Sequence, residues 1–204
     1  MKNFLEALRI QRWDDHRYYH HCRINQSLHL LSAICFLISY TLLFVEPAWA
    51  ALLAWLVSMT ARQSGHFFFE PLGYDHVNDA TQEFKEEIKV GYNLNRKIVL
   101  LSICAAVPVM AFWTPEFLSW AVPAAYEDTP VRMTAMAWLF LGLAGLLFRV
   151  LQLWKQESLM AGVAWGLKII TDPVHDIILY HKAPLYLMRG ERIDPMIHVN
   201  TAHN

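Results

Sequence analysis

The feature that most constrains this chain is a series of long apolar runs whose polar ends carry its histidines. Leu28–Val45 reads LHLLSAICFLISYTLLFV, with no charge beyond what His29 can take up. Ala48–Phe69 is apolar except for Arg62, Gln63 and His66, all close to one end, and Glu46-Pro47 separates the two runs. Two apolar runs joined by so short a polar turn fold most simply as an antiparallel helical hairpin. That pairing predicts that His29, at the start of the first run, and His66, near the end of the second, meet at one depth on one side. His16, His20 and His21 precede the first run, while Glu70 and His76 follow the second. Most of the metal-binding side chains are therefore expected at one end of the hairpin.

A helix needs about 20 apolar residues to cross a bilayer core, and residues 28–45, 48–69, 98–113 and 134–153 are read as candidate spans. The third carries Pro108, which predicts a kink or tilt. The fourth contains Gly142, Ala144 and Gly145, small enough to let a neighbouring helix approach. Ser158–Ile170 is too short to span and reads as an interfacial or re-entrant helix. Phe4, Leu5, Leu8 and Trp13, set among Lys2, Glu6, Arg9 and Arg12, predict an amphipathic helix lying on the membrane surface or packed on the rest of the protein. The sequence is 55% hydrophobic with a mean hydropathy of +0.25, high for a water-soluble bundle, which is the competing reading. The expected fold is all-α: one polytopic membrane domain over residues 1–204, with about four transmembrane helices, an N-terminal amphipathic helix, and residues 154–204 as a cytoplasmic tail with its interfacial helix.

Basic residues set the expected orientation. They precede the first run (Lys2, Arg9, Arg12, Arg17, Arg23), separate the second from the third (Lys85, Lys89, Arg96, Lys97) and follow the fourth (Lys155, Lys168, Lys182, Arg189, Arg192). The other two connections hold Glu46, Glu116, Glu127 and Asp128, with Arg132 beside them. Both termini and the 70–97 loop are thus expected on the cytoplasmic side of the cytoplasmic or ER membrane. Residues 1–25 are polar and have no apolar signal-peptide core, so the first run is expected to direct targeting.

Composition also excludes function classes. A net charge of −1 offers no basic surface for nucleic acid. Cys22, Cys35 and Cys104 are scattered, with neither a zinc-ribbon pair nor a disulfide framework. The phosphate-loop, dinucleotide, H-E-x-x-H and G-x-S-x-G signatures are all missing from the sequence.

Three stretches can carry chemistry. Tyr18–His29 groups His20, His21 and His29 at a membrane border, where an imidazole is costly unless paired, wet or ligated. Gln63–Glu70 places His66 and Glu70 four residues apart, on one helix face. With His29 from the facing run these supply two histidines and a carboxylate, a set suited to non-haem Fe(II). The third is Thr171-Asp172-Pro173-Val174-His175-Asp176. Thr171 or Asp172 is expected to cap a new helix with Pro173 in its first turn, and Asp172 or Asp176 to orient His175. His29 and His66 are the first-ranked ligands, followed by His20 and Glu70, then His175 and His76. His198 and His203 are assigned no role.

Tyr18-Tyr19-His20, Asn25, the Leu28-His29 step and the closing Gly65-His66-Phe67-Phe68-Phe69-Glu70 together resemble the membrane 2-hydroxy fatty acid dioxygenases of fungal phytosphingosine breakdown, over about residues 12–72. The resemblance implies an Fe(II)-dependent enzyme that shortens a 2-hydroxy fatty acid by one carbon with dioxygen and without 2-oxoglutarate. It implies that His20, His29 and His66 hold iron, with a fourth ligand from later in the chain. The match ends at Glu70: Pro71-Leu72-Gly73-Tyr74-Asp75-His76 departs from the family pattern, so His76 and His175 compete for that fourth place. The expected partners are a lipid-derived hydroxy acid, dioxygen and membrane lipid, with self-association left open. Arg62, Arg23 or Arg96 is expected to pair with the substrate carboxylate. Two other readings compete. His16-x-x-x-His20-His21 looks like one box of a di-iron membrane hydroxylase or desaturase, and buried histidines on paired helices also suit a non-catalytic metal or haem carrier.

Overall fold

The computed structural model describes residues 4–76, 78–88 and 94–195, and among these residues it is all-helical. Helix α1 (Phe4–Tyr19) leads through a short break at His20–Cys22 into α2 (Arg23–Leu42). The chain turns over residues 43–46, where Glu46 accepts from the Ala48 amide at 3.4 Å and Pro47 occupies the first helical turn. Helix α3 (Pro47–Leu52) passes through a π-helical segment, Leu53–Met59, into α4 (Thr60–Phe68). A π turn adds a residue per turn and re-phases the face downstream of it, here the stretch bearing Arg62 and His66. Then follow α5 (Gln82–Ile88), α6 (Leu94–Trp113), α7 (Pro130–Gln156), α8 (Leu159–Tyr180) and α9 (Ala183–Met188). Thr129 caps α7 on the Arg132 amide and Ser158 caps α8 on the Ala161 amide.

Helix α2 lies against α4 and the π segment on one side and against α8 and α9 on the other. The expected hairpin is therefore present, and α8 closes it. Helix α7 packs on α3, α6 and α8, around a core of Ala48, Ala51, Val107, Ala111, Ala135 and Met136. So many alanines let the backbones approach closely, as in membrane helix pairs.

Pro108 lies inside α6 rather than ending it. Its ring removes the N–H that would have bonded the carbonyl of Cys104. The Trp138 indole of α7 donates to that carbonyl at 2.9 Å, so the freed acceptor is satisfied from a neighbouring helix. Replacing the indole by Phe is expected to destabilise the protein by about 1–3 kcal/mol, because a buried carbonyl loses its partner. Adding Pro108→Ala should recover part of that loss by restoring the amide. Unfolding midpoints of the two variants in detergent check this, and equal midpoints for wild type and Trp138→Phe would contradict it.

The four expected spans become something more uneven. Among the described residues α7 is the one helix long and apolar enough to cross a membrane, with 22% of its most apolar stretch buried. In α6 the apolar stretch is the shorter Ile98–Trp113. The first run is shifted: α2 takes in Arg23, Asn25 and Gln26 and stops at Leu42. The second run is divided by the π segment.

The C-terminal third departs further from expectation. Residues 158–170 and the helix expected to begin at Thr171 are one helix, α8, with Pro173 in its interior. Thr171 does not cap; its hydroxyl bonds back to the Leu167 carbonyl at 2.6 Å. The physical reason is the face that α8 presents inward. Lys168, Asp172, Asp176 and Tyr180 recur every fourth residue and are all buried, so interrupting the helix would break one polar seam. Residues 154–195 are thus a wall of the core rather than a trailing tail. Helix α1 follows the packed alternative, with Gln11 donating to the Ala161 carbonyl at 3.3 Å and Arg12 donating to Thr171.

Candidate metal centre

The hairpin brings three imidazoles together. His29 stands in the second turn of α2, His66 in the last turn of α4, and His20 in the break before α2. Their ring centroids lie 4.3 Å (His20–His29), 4.9 Å (His29–His66) and 5.2 Å (His20–His66) apart. One donor atom from each falls within 4.8 Å of the other two, close enough for one cation to engage all three. His20 and His29 are 1% and 0% exposed, so bulk water does not bathe them.

The outer nitrogens show how the rings are held. His66 Nδ1 lies 3.0 Å from Glu70 Oε2, which stands just past the end of α4. His29 turns Nδ1 toward Asp176 Oδ2 at 3.6 Å. A carboxylate at Nδ1 favours the tautomer with its proton there and leaves the Nε2 lone pair facing inward. His20 Nε2 and His29 Nε2 then face each other at 3.2 Å. At that separation the His20 Nε2–H can donate to the His29 Nε2, and a bound cation would take that proton's place. The donor set fits a borderline divalent metal, since neutral imidazoles backed by carboxylates are the usual environment of such ions.

Close packing sets this geometry. A Cβ on Gly65 would collide with the Asn25 Oδ1 and come within 3.5 Å of His29 Cδ2. Glycine therefore lets α4 approach α2 where the histidines meet. Asn25 cannot move aside cheaply, because its Nδ2 donates to the Tyr19 carbonyl at 2.9 Å in a fully buried position. Gln26 donates to the His20 carbonyl at 2.7 Å and to Asp194 at 2.8 Å. Asp194 also pairs with Arg23 at 2.8 Å, and its amide donates to the His21 carbonyl at 2.7 Å. Arg23 in turn lies over the Tyr186 ring, 4.4 Å from its centre. The segment 191–195 is thus a strap across the break that holds His20.

The other sequence candidates fall elsewhere. Glu70 lies behind His66 and orients it. His21 faces the loop after α4, 3.3 Å from Asp75 Oδ2. His76 is exposed, its ring against Tyr74 at 5.0 Å, so it is not brought to the three histidines. His175 is partly buried on α8 and is not in the cluster either; of Asp172 and Asp176, the two carboxylates expected to orient it, Asp176 lies 3.6 Å from His29 Nδ1. His181 points its Nδ1 back at the Ile177 and Ile178 carbonyls. The side chains of His16 and Arg96, and the whole of His198 and His203, lie outside the described residues. Arg62, expected to meet a substrate carboxylate, is paired within the protein, 2.8 Å from Asp176 and 3.7 Å from Asp172. Lys168 at 2.9 Å and Arg12 at 3.7 Å complete the charges around Asp172.

No family model matches this chain, and neither a curated protein nor a solved structure matches it significantly.

Two contacts of the site escaped the sequence reading, which assigned Asp176 to His175 and gave Tyr180 no role. Asp176 is fully buried beside His29, and the Tyr180 ring, 2% exposed, stands 5.8 Å from His20 and 6.3 Å from His29. The signal for both was present in the four-residue spacing of Lys168, Asp172, Asp176 and Tyr180, a polar stripe on an otherwise apolar helix.

Proposed function

We propose that the protein is a membrane-bound non-haem iron oxygenase acting on 2-hydroxy fatty acids. The observation that carries this reading is the cluster of three histidines, two of them fully buried and two faced by carboxylates. His20, His29 and His66 hold Fe(II) in this reading. Bound there, the ion supplies a Lewis-acidic centre that a 2-hydroxy carboxylate can chelate and at which dioxygen can be activated. The protein's own groups do the rest. Glu70 and Asp176 keep two imidazoles in the ligating tautomer, and the Tyr180 ring helps exclude water. Exposed apolar side chains of α2, such as Leu31, Ile34 and Ile38, offer a surface for the acyl chain, worth about 0.8 kcal/mol per methylene buried. The overall oxidation balances with dioxygen alone: the hydroxy acid yields the acid one carbon shorter, carbon dioxide and water.

The same reading places α7 across a membrane, with α2, α3–α4 and α6 beside it and the termini on the cytoplasmic side. Phe112, Phe148 and Ile178, each more than 60% exposed, are the outward apolar surface that lipid would cover. A di-iron hydroxylase is less well supported, because one cluster of three histidines is found among the described residues. A haem fits poorly between His20 and His29, whose Nε2 atoms are 3.2 Å apart.

The test is iron content after anaerobic purification in detergent, followed by dioxygen uptake with 2-hydroxy fatty acids. The expected result is about one iron per chain, as one mononuclear site requires, and uptake that needs the 2-hydroxyl. Absence of metal after reconstitution would overturn the reading, and two irons per chain would transfer it to the di-iron class.

A further inference from the structure

We infer that Asp176 is the positioning residue for His29, and that its pair with Arg62 holds the carboxylate in place for that task. The inference rests on the metal reading above and adds a residue from α8, which lies beyond the resembling stretch.

Asp176 is fully buried, as is His29, and two groups converge on its Oδ2: Arg62 Nη1 at 2.8 Å and His29 Nδ1 at 3.6 Å. Arg62 comes from α4, four residues before His66, and His29 from α2. One oxygen of α8 therefore ties together the two helices that carry the histidines. An isolated buried carboxylate would be strongly disfavoured; the guanidinium lets it remain charged where it faces the imidazole. A carboxylate charge 3.6 Å from Nδ1 favours the tautomer protonated there and makes Nε2 a better donor to a metal. Glu70 stands closer to His66, at 3.0 Å, so a carboxylate faces the outer nitrogen of each of two histidines.

A purely structural ion pair predicts something different. If Arg62 and Asp176 served only to neutralise each other, removing both charges would repair the damage done by removing one. If Asp176 acts on His29, removing both leaves the metal defect in place. Arg62→Gln should also weaken cation binding, though less than Asp176→Asn, because the buried carboxylate loses the group that keeps it charged and in place.

The experiment is a double-mutant cycle on the full chain in detergent, with Co(II) alone as the probe, read by its visible absorption and by chelator competition. The expected result is a Kd raised about 10- to 100-fold in Asp176→Asn, the usual loss when such a partner is removed, and raised equally in Arg62→Gln/Asp176→Asn. Wild-type affinity in the double variant would overturn the inference while leaving the metal site standing. Failure of the wild-type chain to bind Co(II) would overturn both. Should Asp176→Asn not fold, the charge-neutral double variant compared with Arg62→Gln decides the matter, because only Asp176 differs between them.

Discussion

His66→Ala, purified alongside wild type, is expected to come out of the membrane fraction folded and without its metal. The imidazole stands in the last turn of α4 with 13% of its side chain exposed, and the contacts of α2 with α3 and of α3 with α7 do not depend on it. It is also one of three donors within 4.8 Å of each other, and two remaining imidazoles do not make a stable site. Iron content should fall to background while the helical circular dichroism stays unchanged. His76→Ala is the control: its exposed ring touches Tyr74, and its iron content should match wild type. Full iron occupancy in His66→Ala would remove the basis of the oxygenase reading. Loss of iron in His76→Ala would show that the 71–80 loop closes on the site.

Asp194→Ala is expected to produce the largest change in stability, about 3–5 kcal/mol, the cost of leaving a buried charge without its partner. Asp194 is 2% exposed and Arg23 8%, and their 2.8 Å pair is joined by Gln26. The damage should reach the metal. Gln26 bridges Asp194 and the His20 carbonyl, so a loosened strap frees the break in which His20 sits. Weakened iron binding together with a lowered unfolding midpoint is the expected pair of results. A large loss of stability with unchanged metal affinity would mean that the strap only holds α2 and α9 together.

How legible this protein was depends on the range over which each feature acts. The hairpin was legible because its causes are local: two apolar runs, a Glu46-Pro47 turn, and histidines at matching distances from that turn. The Gly65-His66 step and the His66–Glu70 pair were equally local, one being a small residue at a helix contact and the other a four-residue spacing, although α4 ends at Phe68 before it reaches Glu70. Pro173 misled for the same reason. A proline after Thr-Asp is a fair helix start on local grounds, yet the inward polar face of α8 outweighed it. His175 misled as well, because a histidine between two aspartates attracts attention in sequence, whereas on the helix Asp176 turns to a different imidazole.

The sequence by itself determined that the chain would be helical, that its apolar runs would pair, and that His29 and His66 would meet. Each of these follows from periodicity and spacing within one or two neighbouring elements. Only the tertiary structure decided the surroundings of those histidines: Asp176 behind His29, Tyr180 against His20, Arg62 committed to Asp176, and Asp194 reaching back to Arg23 and Gln26. These contacts join residues more than a hundred positions apart, and no helical period encodes them. They arise because α8 and the 191–195 strap bury polar groups that must find partners wherever the fold places them, since an unsatisfied buried charge costs more than the conformational freedom given up to pair it.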